Sequence, residues 1–227
     1  MQPGYLPWLG FFELMHSCEV FVLLDDVQYT KKDWRSRNRI RTKEGWIWLS
    51  VPVLTKGRRN QLIMEARINN NLAWREKHLR SLKVNYCGAG YYSNYISFFE
   101  QLYEKELDCL VDLDMEIIIF MAKKIGISTK MIRSSSLGIS DCSGNMRIME
   151  LCKRLKADEL YDSARAKDFL DLKLFAESGI KVNFQNYLHP VYKQLYQPFV
   201  SYLSAVDLLF NEGPGAREII LSGRREN

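Results

Sequence analysis

Glu19-Val20-Phe21-Val22-Leu23-Leu24-Asp25-Asp26 is the stretch on which the fold turns. Six residues, five of them apolar and two β-branched, read as a buried strand, and two adjacent acids stop it. A buried strand that ends in carboxylates suits an α/β sheet, where ligands gather at the carboxyl ends of the strands. Working outward, Trp46–Val53 reads as a second strand and Leu62–Ile68 as a third. Further strands are expected at Thr129–Ser134, Leu160-Tyr161 and Lys181–Phe184. Helical periodicity marks Leu9–Ser17, Ala73–Tyr86, Tyr95–Lys105, Leu107–Ile125 with Gly126 as its C-cap, Asn145–Leu155 after a small, polar loop at Ser135–Gly144, Asp168–Ser178, and a final helix at Ser204–Asn211 that Gly213-Pro214-Gly215 is expected to stop. Strands alternating with helices predict an α/β fold: a three-layer-like sheet with flanking helices, plus a helical subdomain at about 73–125, all within one domain over 1–227.

Composition excludes several classes. The 227 residues are 47% apolar and 26% charged, which is soluble globular usage and neither disordered nor collagen-like. Five cysteines without a CxxC pair argue against a disulfide framework or a zinc site, and no metal centre is expected. The longest apolar run, near Ile117–Ala122, is far below the ~20 residues of a membrane span. No signal peptide is visible, so a cytoplasmic protein is expected. Walker, GxGxxG and GxSxG motifs do not occur, which weighs against P-loop enzymes, dinucleotide enzymes and α/β-hydrolases.

Charge is localised. Residues 31–59 hold ten Lys/Arg against Asp33 and Glu44, a local +8 in a chain of net +5. A concentrated cluster on a near-neutral body points to a discrete anionic ligand. Within it, Arg35, Arg37, Arg39 and Arg41 alternate, so a strand would carry all four on one face. Arginine forks suit phosphate or carboxylate, and like charges so close need anions or acids between them. One or two of the four are expected to pair with acids of the chain. Asn38, among them, offers an amide for orienting substrate. The loop Gln2–Trp8 sets a polar amide beside the rings of Tyr5 and Trp8, groups suited to a sugar or base.

Asp25 and Asp26, followed by Gln28, Tyr29, Lys31 and Lys32, make the densest chemical stretch; a carboxylate there would accept a proton from an attacking amine. His78 lies on a polar helix and is a further candidate base. Ser134 and Ser135 offer hydroxyls and backbone N–H groups to a phosphate. Asp162–Lys167 offers a similar anion-binding turn, with plain N-capping as the equal alternative.

Taken together, QPGYLPWLGFFE (2–13), VFVLLDDVQYTKKDWRSRNRI (20–40), WIWLSVPV (46–53), WREKHL (74–79), Ser134-Ser135 and LSAVDLLFNEG (203–213) resemble the WbqC-like family over nearly the whole chain. One departure is local: the 162–167 loop reads Ser163-Ala164-Arg165-Ala166 where the family commonly has glycines. The resemblance implies a role in bacterial polysaccharide and O-antigen synthesis, as a glycine (aminoacyl) transferase that acylates an amino sugar. A weaker likeness, at the level of fold alone, is to nucleotidyl-transferase-like α/β proteins, some of which make acyl-adenylates.

The resulting expectation is a transferase joining a glycine-like acyl group to a nucleotide-linked amino sugar. Arg37, Arg39 and Lys32 would hold the diphosphate, and Tyr5, Trp8 and Gln28 would face the sugar or base. Asp26, Asp25 or His78 would take the amine proton. An aminoacyl-tRNA is a logical donor. Two alternatives stand beside it: an adenylate-forming ligase or nucleotidyltransferase using ATP and Mg2+, and a non-catalytic glycan- or nucleotide-binding module.

Overall fold

The computed structural model describes residues 1–139 and 142–226. Residues 140 and 141, inside the expected 135–144 loop, and Asn227 lie outside the described residues. The architecture is mixed α/β with short sheets flanked by helices.

The strand expected at 19–24 is β1 (Val20–Leu23), which pairs in parallel with β4 (Lys130–Arg133). The arginine alternation forms β2 (Arg37–Thr42), in an antiparallel hairpin with β3 (Gly45–Ser50). A third pair, β5 (Glu159–Asp162) and β6 (Lys181–Phe184), is parallel. One continuous three-layered sheet is therefore not what forms: the described residues hold three two-stranded sheets. The strands of the two parallel pairs have four residues each. A cavity of about 460 Å3 separates β1 from β5, lined by Val22, Leu24, Leu151, Cys152, Leu160 and Tyr161 among others. Met1 lies at its rim and pairs like a strand residue: its amino group donates to the Val22 carbonyl (3.1 Å) and its carbonyl accepts the Leu24 N–H (2.8 Å).

The stretch 62–68 is not a strand. Leu62 enters a 3-10 turn at Ile63–Glu65, and the Glu65 carboxylate accepts the Leu62 N–H (2.8 Å). Isolated bridges Gln28–Leu62, Val53–Ile68 and Arg67–Cys109 replace a ladder. The β-branched and aliphatic residues of 62–68 gave a strand signal, but the turn buries Ile63, Ala66 and Ile68 without one.

Helices α1 (Leu9–His16), α2 (Trp74–Tyr86), α3 (Tyr92–Glu104) and α4 (Leu110–Ile125) follow their apolar patterns. Gly126 ends α4 in the left-handed region (φ 82°), where a Cβ would be strained. All four helices bury side chains in one core with α7 (Ala205–Glu212). A second, smaller core lies among α5 (Gly144–Arg154), α6 (Leu172–Glu177), β5 and β6, around Met149, Ala166 and Phe175. Gly213–Gly215 does not stop the chain: one 3-10 turn leads into α8 (Ala216–Ser222), which packs on α1.

α1 is buried almost all round, so its one carboxylate needs partners. Glu13 is 1% exposed and accepts from Arg224 Nε (2.8 Å), Gln185 Nε2 (2.5 Å) and Ser17 Oγ (2.8 Å). These bonds fasten the C-terminal segment to α1.

Candidate functional site

The β2–β3 register sets Arg37 opposite Ser50, Arg39 opposite Trp48 and Arg41 opposite Trp46. Alternation then gives one hairpin face to Arg37, Arg39, Arg41, Trp46 and Trp48, and the other to Asn38, Ile40 and Leu49, which are buried. On the outer face Arg37 stacks over Trp48 at 4.3 Å, and Arg39 over Trp46 at 5.0 Å. Trp34 closes the row, its ring 5.4 Å from that of Trp48. The three indoles remain 37–46% exposed, an aromatic surface that a monomer does not need for its core.

The four arginines have different fates. Arg35 pairs with Asp33 and donates to Gln2 Oε1 (2.7 Å). Arg41 is 1% exposed and donates to the carbonyls of Thr42 (2.8 Å), Gly45 (2.6 Å) and Pro198 (2.7 Å). Arg39 gives one bond, to the Tyr202 carbonyl (2.8 Å). Burial lowers its pKa from the ordinary value, yet a guanidinium stays charged. The Arg37 side chain has neither a hydrogen bond nor an ion pair among the described residues. Two guanidiniums on this face therefore lack any carboxylate partner.

The opening loop is laid against the buried side of the hairpin and the backbone just before it. The Tyr5 N–H is shared by the Trp34 and Arg35 carbonyls (3.2 Å each), and Asn38 Nδ2 donates to the Leu6 carbonyl (2.6 Å). Asn38 is buried and holds the loop, so it does not present its amide to a substrate. Tyr5 is likewise fully buried, a core residue whose Oη bonds His78 Nδ1 (2.7 Å) and Tyr103 Oη. Trp8 is half-buried, its ring 5.9 Å from Tyr202. Gly10 supports it: a Cβ there would lie 2.3 Å from the Trp8 ring. Gly10→Ala is expected to displace the indole and to cost about 1–3 kcal/mol, read as a lower Tm with altered tryptophan emission.

Lys31 and Lys32 are exposed, and so is Gln28, which donates to the Arg59 carbonyl (3.3 Å). Tyr29 is buried and donates to Ser36 Oγ (3.1 Å), a packing role.

The strand-end carboxylates form a separate network. Asp25 is fully buried and accepts from Arg133 Nε (2.6 Å), the Ser135 N–H (3.0 Å), Ser135 Oγ (2.7 Å) and Ser134 Oγ (3.3 Å). Burial pushes its carboxyl up, but the Ser135 bonds and the Arg133 guanidinium outweigh burial and hold it below the usual carboxylate range. Asp26 pairs with Arg147 and accepts from Ser134 Oγ. The two serines thus spend their hydroxyls on aspartates rather than on a phosphate.

His78, 5% exposed, is enclosed by Tyr5, Trp74 and Tyr103. Burial lowers its pKa to about 4, so the ring is neutral at neutral pH. Asp25 and His78, both expected as proton acceptors, are thus buried and bonded within the fold. No hydrogen bond or ion pair among the described residues joins Arg37 or Arg39 to Asp25 or Asp26. In the 162–167 turn, the Asp162 carboxylate accepts the Ser163 N–H (2.6 Å), an internal turn bond.

Sequence reasoning missed the tryptophans as partners of the arginines. A signal was present: Trp46 and Trp48 alternate in one strand as Arg37, Arg39 and Arg41 alternate in the next. Register alone decides that the two sets meet. Arg133 and Arg147, the counter-ions of the aspartates, carry no local signal.

The profile of the WbqC-like protein family matches residues 2–219. The chain belongs to the WbqC-like family. A relative in Mycobacterium tuberculosis, Uncharacterized protein Rv1507c, is 34% identical over 222 residues, covering 97% of this chain and 95% of that protein. No solved structure matches the chain, so the nucleotidyl-transferase-like layering finds no support. Among the described residues, no helix is long and apolar enough to cross a membrane.

Proposed function

We propose that this WbqC-like protein is a transferase that forms an amide between a glycine-like acyl group and an amino sugar carried on a nucleotide, in the synthesis of surface polysaccharide such as O-antigen. The observation that carries the reading is the pair Arg37 and Arg39, stacked on exposed tryptophans and free of carboxylate partners. Guanidinium forks take a diphosphate in bidentate fashion, and indole faces take a sugar or base ring. Gln2, bonded by Arg35, and Trp8, near the Tyr202 whose carbonyl takes Arg39, would add a polar amide and a further ring. Of the three expected proton acceptors Asp26 is the most exposed, with 12% of its side chain accessible, so the proposal gives it that role.

Titration with nucleotide-linked amino sugars, followed by tryptophan emission, tests the reading. Saturable quenching is expected. Each charge-assisted bond is worth roughly 1.5–3 kcal/mol, so the double variant Arg37→Ala/Arg39→Ala should bind at least about a hundredfold more weakly. Asp26→Asn should bind normally and lose roughly 10²–10⁴ in turnover with an aminoacyl donor. No saturable response to any such sugar, or unchanged binding by the double variant, would sink the proposal. Pyrophosphate release from ATP with an acid and an amine would favour the adenylate-forming alternative instead.

A further inference from the structure

The cations around the arginine–tryptophan face extend it into two neighbouring loops. Tyr29 N–H donates to the Gln61 carbonyl (2.9 Å), Ile63 N–H to the Val27 carbonyl (2.9 Å), and Gln28 Nε2 to the Arg59 carbonyl (3.3 Å). These bonds fix the loop holding Lys56, Arg58 and Arg59 against the one holding Lys31 and Lys32. All five side chains are exposed, and none forms an ion pair among the described residues. Trp34 follows Lys32 by two residues and its ring lies 5.4 Å from that of Trp48, so the basic strip runs directly onto the aromatic row.

Five like charges held together without counter-ions cost stability and are kept where a polyanion neutralises them. Their arrangement distinguishes between polyanions. On this surface the indoles, 37–46% exposed, lie against the half-buried guanidiniums of Arg37 and Arg39, and five exposed cations flank them. A lipid-inserting surface would need apolar groups that project beyond its charges. Flat rings on a β-ribbon flanked by phosphate-binding cations instead match single-stranded nucleic acid, whose bases stack while its backbone tracks a basic groove.

We infer that the 31–32 and 56–59 loops, with Trp34 at their edge, bind a short single-stranded nucleic acid segment, and that the acyl donor is an aminoacyl ester on an RNA 3′ end. This rests on the reading of Arg37 and Arg39 as the acceptor site and names what carries the donor. The chemistry balances. The acceptor amine attacks the ester carbonyl carbon, a C–N bond forms, and the ester C–O bond breaks. The proton lost by the nitrogen ends on the departing ribose oxygen, which leaves as a hydroxyl.

The test is fluorescence anisotropy with a labelled single-stranded RNA of about twelve nucleotides. Binding should weaken with salt by roughly 0.7 in log–log slope per phosphate neutralised. The triple variant Lys56→Ala/Arg58→Ala/Arg59→Ala, confined to an exposed loop, should bind RNA at least about tenfold more weakly and lose roughly 2 from that slope. Its response to nucleotide-linked amino sugars should be unchanged, which separates failure here from failure of the acceptor-site reading. Absence of RNA binding at low salt, or a triple variant with wild-type affinity and slope, overturns the inference. Binding to phosphatidylserine vesicles in preference to RNA overturns it in favour of a membrane surface.

Discussion

Replacing Asp207 with alanine is expected to lower stability by about 3–5 kcal/mol, because it strips three buried donors of their acceptor. Asp207 sits on α7 and is fully buried. Its carboxylate accepts from Tyr86 Oη (2.9 Å), Tyr192 Oη (2.7 Å) and Gln194 Nε2 (2.9 Å). Tyr86 Oη in turn accepts the Arg41 N–H (2.9 Å), so the network ties α2, β2, α7 and the 192–200 segment together. For a chain of this length the loss corresponds to a fall in Tm of roughly 10 °C or more. The hairpin should loosen with it, because Arg41 lies between Arg39 and the turn.

The same group makes a signed pH prediction. Burial raises the Asp207 carboxyl to about 6, from an ordinary value of 3.8, although its three hydrogen bonds pull downward. The folded state therefore holds this proton more tightly than the unfolded chain. Stability from this group is fully present below about pH 4 and is lost as pH rises through about 6, a change of about 3 kcal/mol. Urea unfolding of the wild type and of Asp207→Asn between pH 4 and 7 should show the wild type losing ground in that window while the variant does not. Parallel curves would show that the carboxyl ionises freely in the fold.

Asp25→Ala should cost a similar amount, about 3–5 kcal/mol, by leaving Arg133 and the Ser135 N–H without their buried acceptor. Its pH signature is opposite. The Asp25 carboxyl is held below its ordinary 3.8, so its contribution is present above that value and lost as pH falls through the folded pKa. The stability gap between wild type and Asp25→Ala should therefore close in acid. A catalytic aspartate would behave differently, because its alanine variant keeps its Tm and loses turnover. Denaturation measured beside turnover separates the two roles, and a wild-type Tm for Asp25→Ala would contradict the anchoring described above.

Much of the fold was legible because its signals are local. The run at 20–24, the arginine alternation at 35–41 and the apolar spacing of α2–α4 each specify an element through a period of 2.0 or 3.6. The turn at 62–68 shows the limit, since aliphatic residues were read as a strand where a 3-10 turn buries them equally well. α8 was missed because Gly213-Pro214-Gly215 looks like a terminator, whereas Pro214 sits in a first helical turn, where its missing N–H costs nothing.

The candidate site divides in the same way. Residue types and charge density picked out 31–59 as an anion-binding segment, since ten cations against two acids need no coordinates to be noticed. Which cations stay free was beyond that reading. Arg35, Arg37, Arg39 and Arg41 look equivalent in sequence, yet Asp33 takes the first, three carbonyls take the last, and the middle pair rests on tryptophans from the facing strand. Likewise Asp25, Ser134, Ser135 and His78 are chemically competent groups that long-range contacts turn inward. The sequence by itself determined which elements form and where charge accumulates, because both depend on neighbours along the chain. Tertiary structure alone decided which polar groups are spent on one another, because that depends on which partners the fold brings within reach, as Arg133 and Ser135 are brought to Asp25 and Tyr202 to Arg39.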